Sequence, residues 1–215
     1  MEYDEHEQSE RVRSWLRQNG SSLITGIAMG LALVFGWQWW QGRGEQHKDE
    51  ASGQYQSLSQ ALDAKDAAKA KVLAAQLGEK FADTGYATLA SLRQAAFMHE
   101  SGKDAEALAL LRAARTKTTD VGLIEIIDIR IARLLLITGK AEDAAKELAK
   151  LSKPAFPQVV DELRGDIAIA RGQRDEARKN YERALGTLDQ AAPTRPLLEL
   201  KLIDAGGQPP AKPET

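Results

Sequence analysis

Residues 18–42 contain no charged side chain, and this uncharged segment constrains the fold more than any other part of the chain. At about 1.5 Å per residue, a helix of roughly 25 residues is long enough to cross a hydrocarbon core of about 30 Å. Its polar residues lie mostly near its ends, whereas a helix in a soluble core would carry a polar face along its whole length. The segment therefore predicts a membrane-spanning helix rather than a buried core helix.

A cleaved secretion signal is the other alternative for this segment. Such a signal needs a basic start, a shorter apolar run and a cleavage site with small side chains. Here the first ten residues, MEYDEHEQSE, are acidic, and the run ends in Trp37, Trp39 and Trp40, with Trp15 on its other side. Indole rings in these positions are typical of the two interfaces of a membrane. We therefore expect a stub over residues 1–17 and an uncleaved anchor over residues 18–42.

The orientation of the anchor follows from the basic residues beside it. Arg11, Arg13 and Arg17 precede the span, while Arg43 and Lys48 follow it, so the bias favours a cytoplasmic N-terminus only slightly. A single N-terminal anchor commonly delivers the following domain outside the cell membrane. We expect a single-pass protein of a bacterial inner membrane, with its N-terminus in the cytoplasm and its C-terminal domain in the periplasm.

Gly26 and Gly30 form a G-x-x-x-G spacing within the span. Small residues on one face allow another membrane helix to approach closely. The same spacing also arises by chance in apolar spans, where glycine is tolerated. Transmembrane packing through these two glycines and simple tolerance of glycine are both open interpretations.

Composition argues against several classes of function. The chain has 29 basic and 31 acidic residues, so it has no strongly basic field for nucleic acid, and it has no cysteine for a disulfide or thiolate site. His6, His47 and His99 are too dispersed for metal-ligand spacing, and the Gly-Lys pairs at Gly102 and Gly139 lack the earlier glycine of a phosphate loop. We expect a protein that is not an enzyme and that has no catalytic residue, metal or cofactor.

The chain after the anchor is rich in alanine, leucine, lysine and glutamate from residue 51 to residue 188, which predicts an all-α domain. Residues 124–138, IEIIDIRIARLLLIT, begin with β-branched residues in near-alternation and could by themselves describe a strand. Their length and their apolar residues on both sides equally suit a helix buried between neighbours. The repeat described next favours the helix.

Three similar stretches begin at Gly102, Gly139 and Gly172, which are 37 and then 33 residues apart. Each glycine is followed five residues later by an alanine and nine residues later by a large side chain: Ala107 and Leu111, Ala144 and Leu148, Ala177 and Tyr181. A period near 34 with this pattern resembles the tetratricopeptide repeat, in which glycine ends helix A and small residues let helix B pack closely. We expect a tetratricopeptide-like helical solenoid over residues 43–205 and a flexible tail over residues 206–215. A generic helical bundle is the alternative.

In such a solenoid, the helices A build a concave face that suits segments of other proteins. Ten residues are the candidates for a partner-binding groove on this face: Leu92, His99, Ile126, Ile129, Arg133, Leu136, Val159, Glu162, Asp166 and Ile169. Many of them are apolar, and apolar patches of this extent usually bind something. The alternative is self-occlusion, in which residues 196–205, PLLELKLIDA, fold onto this face or the adjoining end of the stack and bury Leu198, Leu200 and Leu202 or their neighbours.

The acidic stub, the single anchor and the repeats together resemble the YfgM family, the ancillary subunits of the SecYEG translocon. GYATLASLRQAA from Gly85, ELRGDIAIARG from Glu162 and the final LLELKLIDA support the resemblance. It implies a periplasmic domain that works beside the membrane-anchored chaperone PpiD and helps to pass on emerging proteins, with unfolded client segments as partners. It also implies a cytoplasmic role in restraining the response regulator RcsB, for which the stub offers no motif. An adaptor of another envelope assembly or secretion complex is the competing function.

Overall fold

The computed structural model describes residues 3–208, and every regular element in that range is an α-helix. This confirms the all-α prediction. Met1, Glu2, most of the predicted tail (residues 209–215) and the side chains of residues 3–12, 14, 16 and 40–42 lie outside the described part of the chain, so most side chains of the predicted stub are among them. The helices are α1 Tyr3–Asp63, α2 Ala67–Lys80, α3 Gly85–Glu100, α4 Asp104–Lys117, α5 Val121–Ile137, α6 Ala141–Leu148, α7 Pro157–Ala170, α8 Arg174–Thr187 and α9 Arg195–Asp204.

The chain divides into two units, residues 1–50 and residues 51–215. The described residues of the first unit belong to helix α1, which is long and apolar enough to cross a membrane, with a mean hydropathy of 1.6 over its most apolar 18 residues. Trp15, Trp37 and Trp39 are exposed, and the Arg43 guanidinium lies 3.9 Å from the centre of the Trp39 ring. An aromatic ring beside a cation is typical of the water-facing edge of a membrane span.

Gly26 and Gly30 are exposed on α1, and a Cβ added at either would have no other side chain or distant backbone within 4 Å. The surface beside them is therefore open within the described part of the chain. Transmembrane packing through these glycines stays a prediction.

Three helical pairs, α3 with α4, α5 with α6 and α7 with α8, form the repeats of the second unit. Gly102, Gly139 and Gly172 end the first helix of each pair with φ values of +74°, +79° and +74°. This left-handed conformation strains any residue with a Cβ, so each turn requires glycine. The predicted repeat register is therefore confirmed.

Small residues hold each pair together. Ala107, Ala144 and Ala177, five residues after the glycines, are fully buried. In the third pair Gly165 takes the small position on the first helix, and a Cβ there would overlap the ring of Tyr181 from the second helix. The predicted close packing of helices A and B therefore depends on residues without large side chains at these crossings.

Helix α5 shows why residues 124–138 are helical although they contain a strand-like pattern. Five large apolar side chains of this helix are buried: Ile127, Ile129, Ile131, Leu134 and Leu135. A helix with neighbours on both sides needs apolar residues around most of its circumference. The β-branched start reflects this burial, and the strand alternative is wrong.

Helix α9 packs on the end of the stack against α8. Leu198 and Leu202 are buried, but Leu200 is 58% exposed, so its predicted burial is wrong. Residues four apart share one face of a helix, whereas a residue between them points away. The Gly206 amide donates to the Ile203 carbonyl and the Gly207 amide donates to the Leu202 carbonyl. The first two residues of the predicted tail are therefore hydrogen-bonded to the end of α9.

Candidate protein-binding groove

A groove with a volume of about 450 Å³ opens between the first helices of the central repeats. Its volume is within the range of about 300–1,000 Å³ that is common for binding pockets. Side chains of α3, α5 and the start of α7 provide most of its surface, because the first helices of successive repeats lie side by side. The groove is lined by Leu92, Ala95, Ala96, His99, Leu111, Ile126, Ile129, Arg130, Arg133, Leu134, Ile137, Phe156 and Val159.

Six of the ten predicted groove residues line this space: Leu92, His99, Ile126, Ile129, Arg133 and Val159. Leu136, Glu162, Asp166 and Ile169 do not. Leu136 is half-buried and packs against the core, on a different face of α5 from Arg133 and Ile137. Ile169 is 41% exposed near the end of α7 and lies outside the groove lining.

Glu162 and Asp166 are bound by the C-terminal helix. The Lys201 ammonium of α9 donates to Glu162 at 2.6 Å and to Asp166 at 2.8 Å, and the Tyr181 hydroxyl also donates to Asp166 at 2.8 Å. Burial and the Asp166 carboxylate both raise the pKa of Tyr181. Burial alone would lower the pKa of Lys201, but hydrogen bonds to the two carboxylates outweigh that effect and raise it. Helix α9 therefore engages the α7 end of the predicted face and leaves the groove between α3 and α5 open.

The groove also contains residues that the repeat pattern did not indicate, among them Arg130, Ile137 and Phe156. Arg130 and Ile137 lie three residues before and four after Arg133, so helical spacing from that residue would have found them. Phe156 precedes α7 and enters the groove from a connecting segment, outside the periodic pattern. Ile137 is 58% exposed and Phe156 is 39% exposed, so both offer apolar surface to a ligand.

Phe156 is held in the groove wall by Glu125 of α5. Glu125 is only 7% exposed, and its carboxylate accepts hydrogen bonds from the Ala155 amide at 2.8 Å and the Phe156 amide at 2.9 Å. These amides precede α7, where a negative charge also interacts favourably with the helix dipole. One buried carboxylate therefore fixes the connection that places Phe156.

The polar groups at the groove are mostly cationic. His99 Nδ1 lies 2.5 Å from Asp104 Oδ1, so His99 already has a carboxylate neighbour. Arg130 and Arg133 form no hydrogen bond or ion pair with any side chain or backbone group that the structure describes. Partial burial and then the neighbouring charge of Arg133 lower the pKa of the Arg130 guanidinium. The groove thus combines an apolar floor with two arginines that have no counter-ion among the described residues.

This arrangement supplies shape, apolar surface and positive charge. An extended concave face built from the first helices of stacked repeats is the means by which helical-repeat proteins bind segments of other proteins. The fold and the groove together define a tetratricopeptide-like helical-repeat protein with one N-terminal helix able to span a membrane.

Comparison with known proteins agrees with this class. The sequence model of the tetratricopeptide repeat-like domain matches residues 13–207, which is nearly the whole chain. The chain belongs to this family, and the relatives described next support the predicted resemblance to the YfgM family.

Three similar proteins carry the name ancillary SecYEG translocon subunit. The one from Haemophilus influenzae is 27% identical over 181 residues, which cover 84% of this chain and 88% of that protein. The one from Escherichia coli is 28% identical over 182 residues, with 83% and 86% covered. The one from Aggregatibacter actinomycetemcomitans is 27% identical over 192 residues, with 87% and 93% covered. The similarity therefore extends over most of each protein.

Proposed function

We propose that this chain is an ancillary subunit of the SecYEG translocon, anchored in the inner membrane by residues 18–42 with its helical domain in the periplasm. The observation that carries the proposal is the extent of the similarity to proteins of that name, at least 83% of this chain in each case. The family match begins at residue 13, so it includes the membrane-spanning segment as well as the repeats.

The helical domain acts without catalysis, as an adaptor that binds protein segments in its groove. Its open apolar surface, with Ile137 and Phe156 exposed, suits segments that have just left the translocon and are not yet folded. A membrane-anchored chaperone like PpiD is the expected neighbour that receives them. This hand-off role rests on the groove and on the family resemblance together.

Two other roles follow from different parts of the chain. An adaptor of another envelope assembly or secretion complex would use the same groove with different partners. Restraint of an RcsB-like response regulator would use the N-terminal stub on the cytoplasmic side. The relatives' shared name favours the translocon over both.

The first test is affinity isolation of the tagged full-length protein from membranes in mild detergent, with mass spectrometry of the proteins recovered. A second chain without residues 1–42 measures the contribution of the anchor. We expect SecY, SecE, SecG and a PpiD-like chaperone with the full-length protein, and less of them after truncation. Recovery of another envelope complex without the translocon would instead assign the chain to the adaptor function.

Orientation needs its own measurement. Single cysteines placed at positions 4 and 211 of this cysteine-free chain can be labelled in intact and permeabilised cells with a reagent that does not cross the inner membrane. We expect labelling of position 211 once the outer membrane is opened, and of position 4 only after both membranes are opened. The reverse pattern would place the helical domain in the cytoplasm.

A further inference from the structure

We propose that the groove binds an amphipathic helical segment of another protein that presents two acidic side chains, about one turn apart, to Arg130 and Arg133. The inference deepens the proposed function, because it states the chemistry of the segment, and it depends on that function only for the groove being a protein-binding site. It does not require the translocon itself as the source of the segment.

The floor of the groove accounts for the apolar face of this segment. Leu92, Ile126 and Val159 come from three successive repeats, so the apolar surface continues from one repeat to the next. Ile137 and Phe156 add half-exposed surface at its edge. A helix with apolar residues at positions i, i+3, i+4 and i+7 presents a stripe that matches a surface of this kind.

The two arginines account for the acidic side chains. Elsewhere in the helical domain, arginines beside the core have carboxylate partners: Arg93 pairs with Asp63, Arg115 with Asp128 and Arg171 with Glu142. Arg130 and Arg133 have none among the side chains that the structure describes, although they line an apolar groove. Their charges are uncompensated until a ligand supplies an anion, and a guanidinium fork matches a carboxylate with two parallel hydrogen bonds.

The spacing of the arginines favours a helical ligand. Arg130 and Arg133 are three positions apart on α5, which separates them by about 4.5 Å along the helix axis. Carboxylates at positions i and i+3 or i+4 of a partner helix have a similar separation on one face. His99, the other ionisable side chain that lines the groove, already faces Asp104 and is less available for a second carboxylate.

The test measures the binding of synthetic peptides to the full-length protein in lipid nanodiscs by fluorescence anisotropy, with empty nanodiscs as the blank. The acidic probe is an 18-residue helical peptide with leucines at i, i+3, i+4 and i+7 and two glutamates three residues apart beside them. In one matched peptide lysines replace the two glutamates. In a second, serines replace the leucines.

We expect the acidic probe to bind at least about tenfold more tightly than either matched peptide. Exposed ion pairs are individually weak, so two together correspond to roughly a tenfold change in Kd. A protein with both Arg130→Gln and Arg133→Gln should lose that tenfold preference over the lysine peptide. Raising the salt concentration should reduce the preference in the wild type, because salt screens exposed charges.

The matched control carries Arg112→Gln and Arg174→Gln, which remove the same charge from exposed positions on α4 and α8, outside the groove. It should bind all three peptides within about twofold of the wild type. Far-ultraviolet circular dichroism of both double variants should equal that of the wild type, since none of the four side chains is buried.

The peptide measurements would overturn the inference in any of three ways: absence of binding of the acidic probe, equal binding of the acidic and lysine peptides, or a preference that survives in the Arg130→Gln, Arg133→Gln protein. A labelled long-chain fatty acid that binds more tightly than the acidic probe and displaces it would also overturn it, by assigning the groove to an anionic lipid. Peptide binding as expected, without recovery of the translocon from membranes, would leave this inference standing and refute the proposed function.

Discussion

Replacing Glu125 with glutamine keeps the shape of a buried side chain and removes its charge. In the wild type, both carboxylate oxygens accept a hydrogen bond, at 2.8 Å from the Ala155 amide and 2.9 Å from the Phe156 amide. The glutamine amide has one oxygen, so it can accept only one of these bonds, and its NH₂ group faces the other N–H. The variant therefore loses one hydrogen bond, weakens the second and loses the favourable charge at the start of α7.

The cost can be worked out from these contacts. A hydrogen bond to a charged group contributes about 1.5–3 kcal/mol, and a charge at a helix N-terminus adds about 0.3–1 kcal/mol. Ala155 and Phe156 are exposed, so water can replace part of the lost bond at the freed amide. We expect the free energy of unfolding to fall by about 2 kcal/mol. For a domain of this size, that corresponds to a melting temperature lower by about 4–8 °C.

Thermal melting followed by circular dichroism at 222 nm, on the full-length protein in detergent, measures this change. Glu79→Gln is the matched control, because Glu79 is exposed on α2 and forms no hydrogen bond or ion pair with another described residue. It should melt within about 1 °C of the wild type, as most surface substitutions do. If Glu125→Gln also melts within that margin, the carboxylate does not stabilise the connection and the account of the groove wall is wrong.

Other substitutions test the repeat packing, the C-terminal helix and the behaviour at high pH. Gly165→Ala should lower the free energy of unfolding, measured in urea, by about 1–3 kcal/mol, because its Cβ would overlap the Tyr181 ring. Its control, Gly186→Ala, places a Cβ in open space and should be neutral or slightly stabilising. Equal effects of the two substitutions would contradict this packing. In the same assay, Leu198→Ala should lower the free energy of unfolding by about 2–5 kcal/mol, because Leu198 is buried. Leu200→Ala should lower it by less than about 0.5 kcal/mol, because Leu200 is 58% exposed. Similar losses for the two variants would refute the assignment of the faces of α9. The pKa of Tyr181 is raised in the folded chain, first by burial and then by a neighbouring carboxylate, so the folded state holds its proton above the unfolded pKa of about 10. Stability that is complete below that pH should therefore fall as the pH rises beyond it, and Tyr181→Phe should show a shallower fall than the wild type in urea titrations between about pH 9 and pH 11.

The repeat architecture could be predicted because its signals are local. Gly102, Gly139 and Gly172 are required by backbone conformation, and each fixes the register of the helices on both sides. The alanine five residues later identifies the helix crossing in each pair. Membrane-spanning length is also a local property, since it depends on an uninterrupted apolar run.

The groove could be predicted only in part, because its boundaries depend on contacts between distant residues. No residue near Glu162 or Asp166 in the sequence indicates that the Lys201 ammonium binds both carboxylates. Lys201 lies 39 and 35 residues further along the chain. Phe156 likewise reaches the groove because Glu125, 31 residues earlier, holds its amide. Helical periodicity identifies which residues share a face, but tertiary contacts decide which part of that face remains open.

The Glu125 contact also has a consequence for the kinetics of binding. Helix α5 supplies Ile126, Arg130 and Arg133 to the groove and, through the carboxylate one residue before Ile126, fixes the opposite wall at Phe156. Floor and wall therefore keep their relative positions when the groove is empty. A ligand that binds such a preorganised surface orders few protein groups, so little conformational entropy is lost on association. A weakly bound ligand can then associate and dissociate quickly without a conformational step that limits either rate, which suits the proposed function, in which each segment is released soon after it is bound.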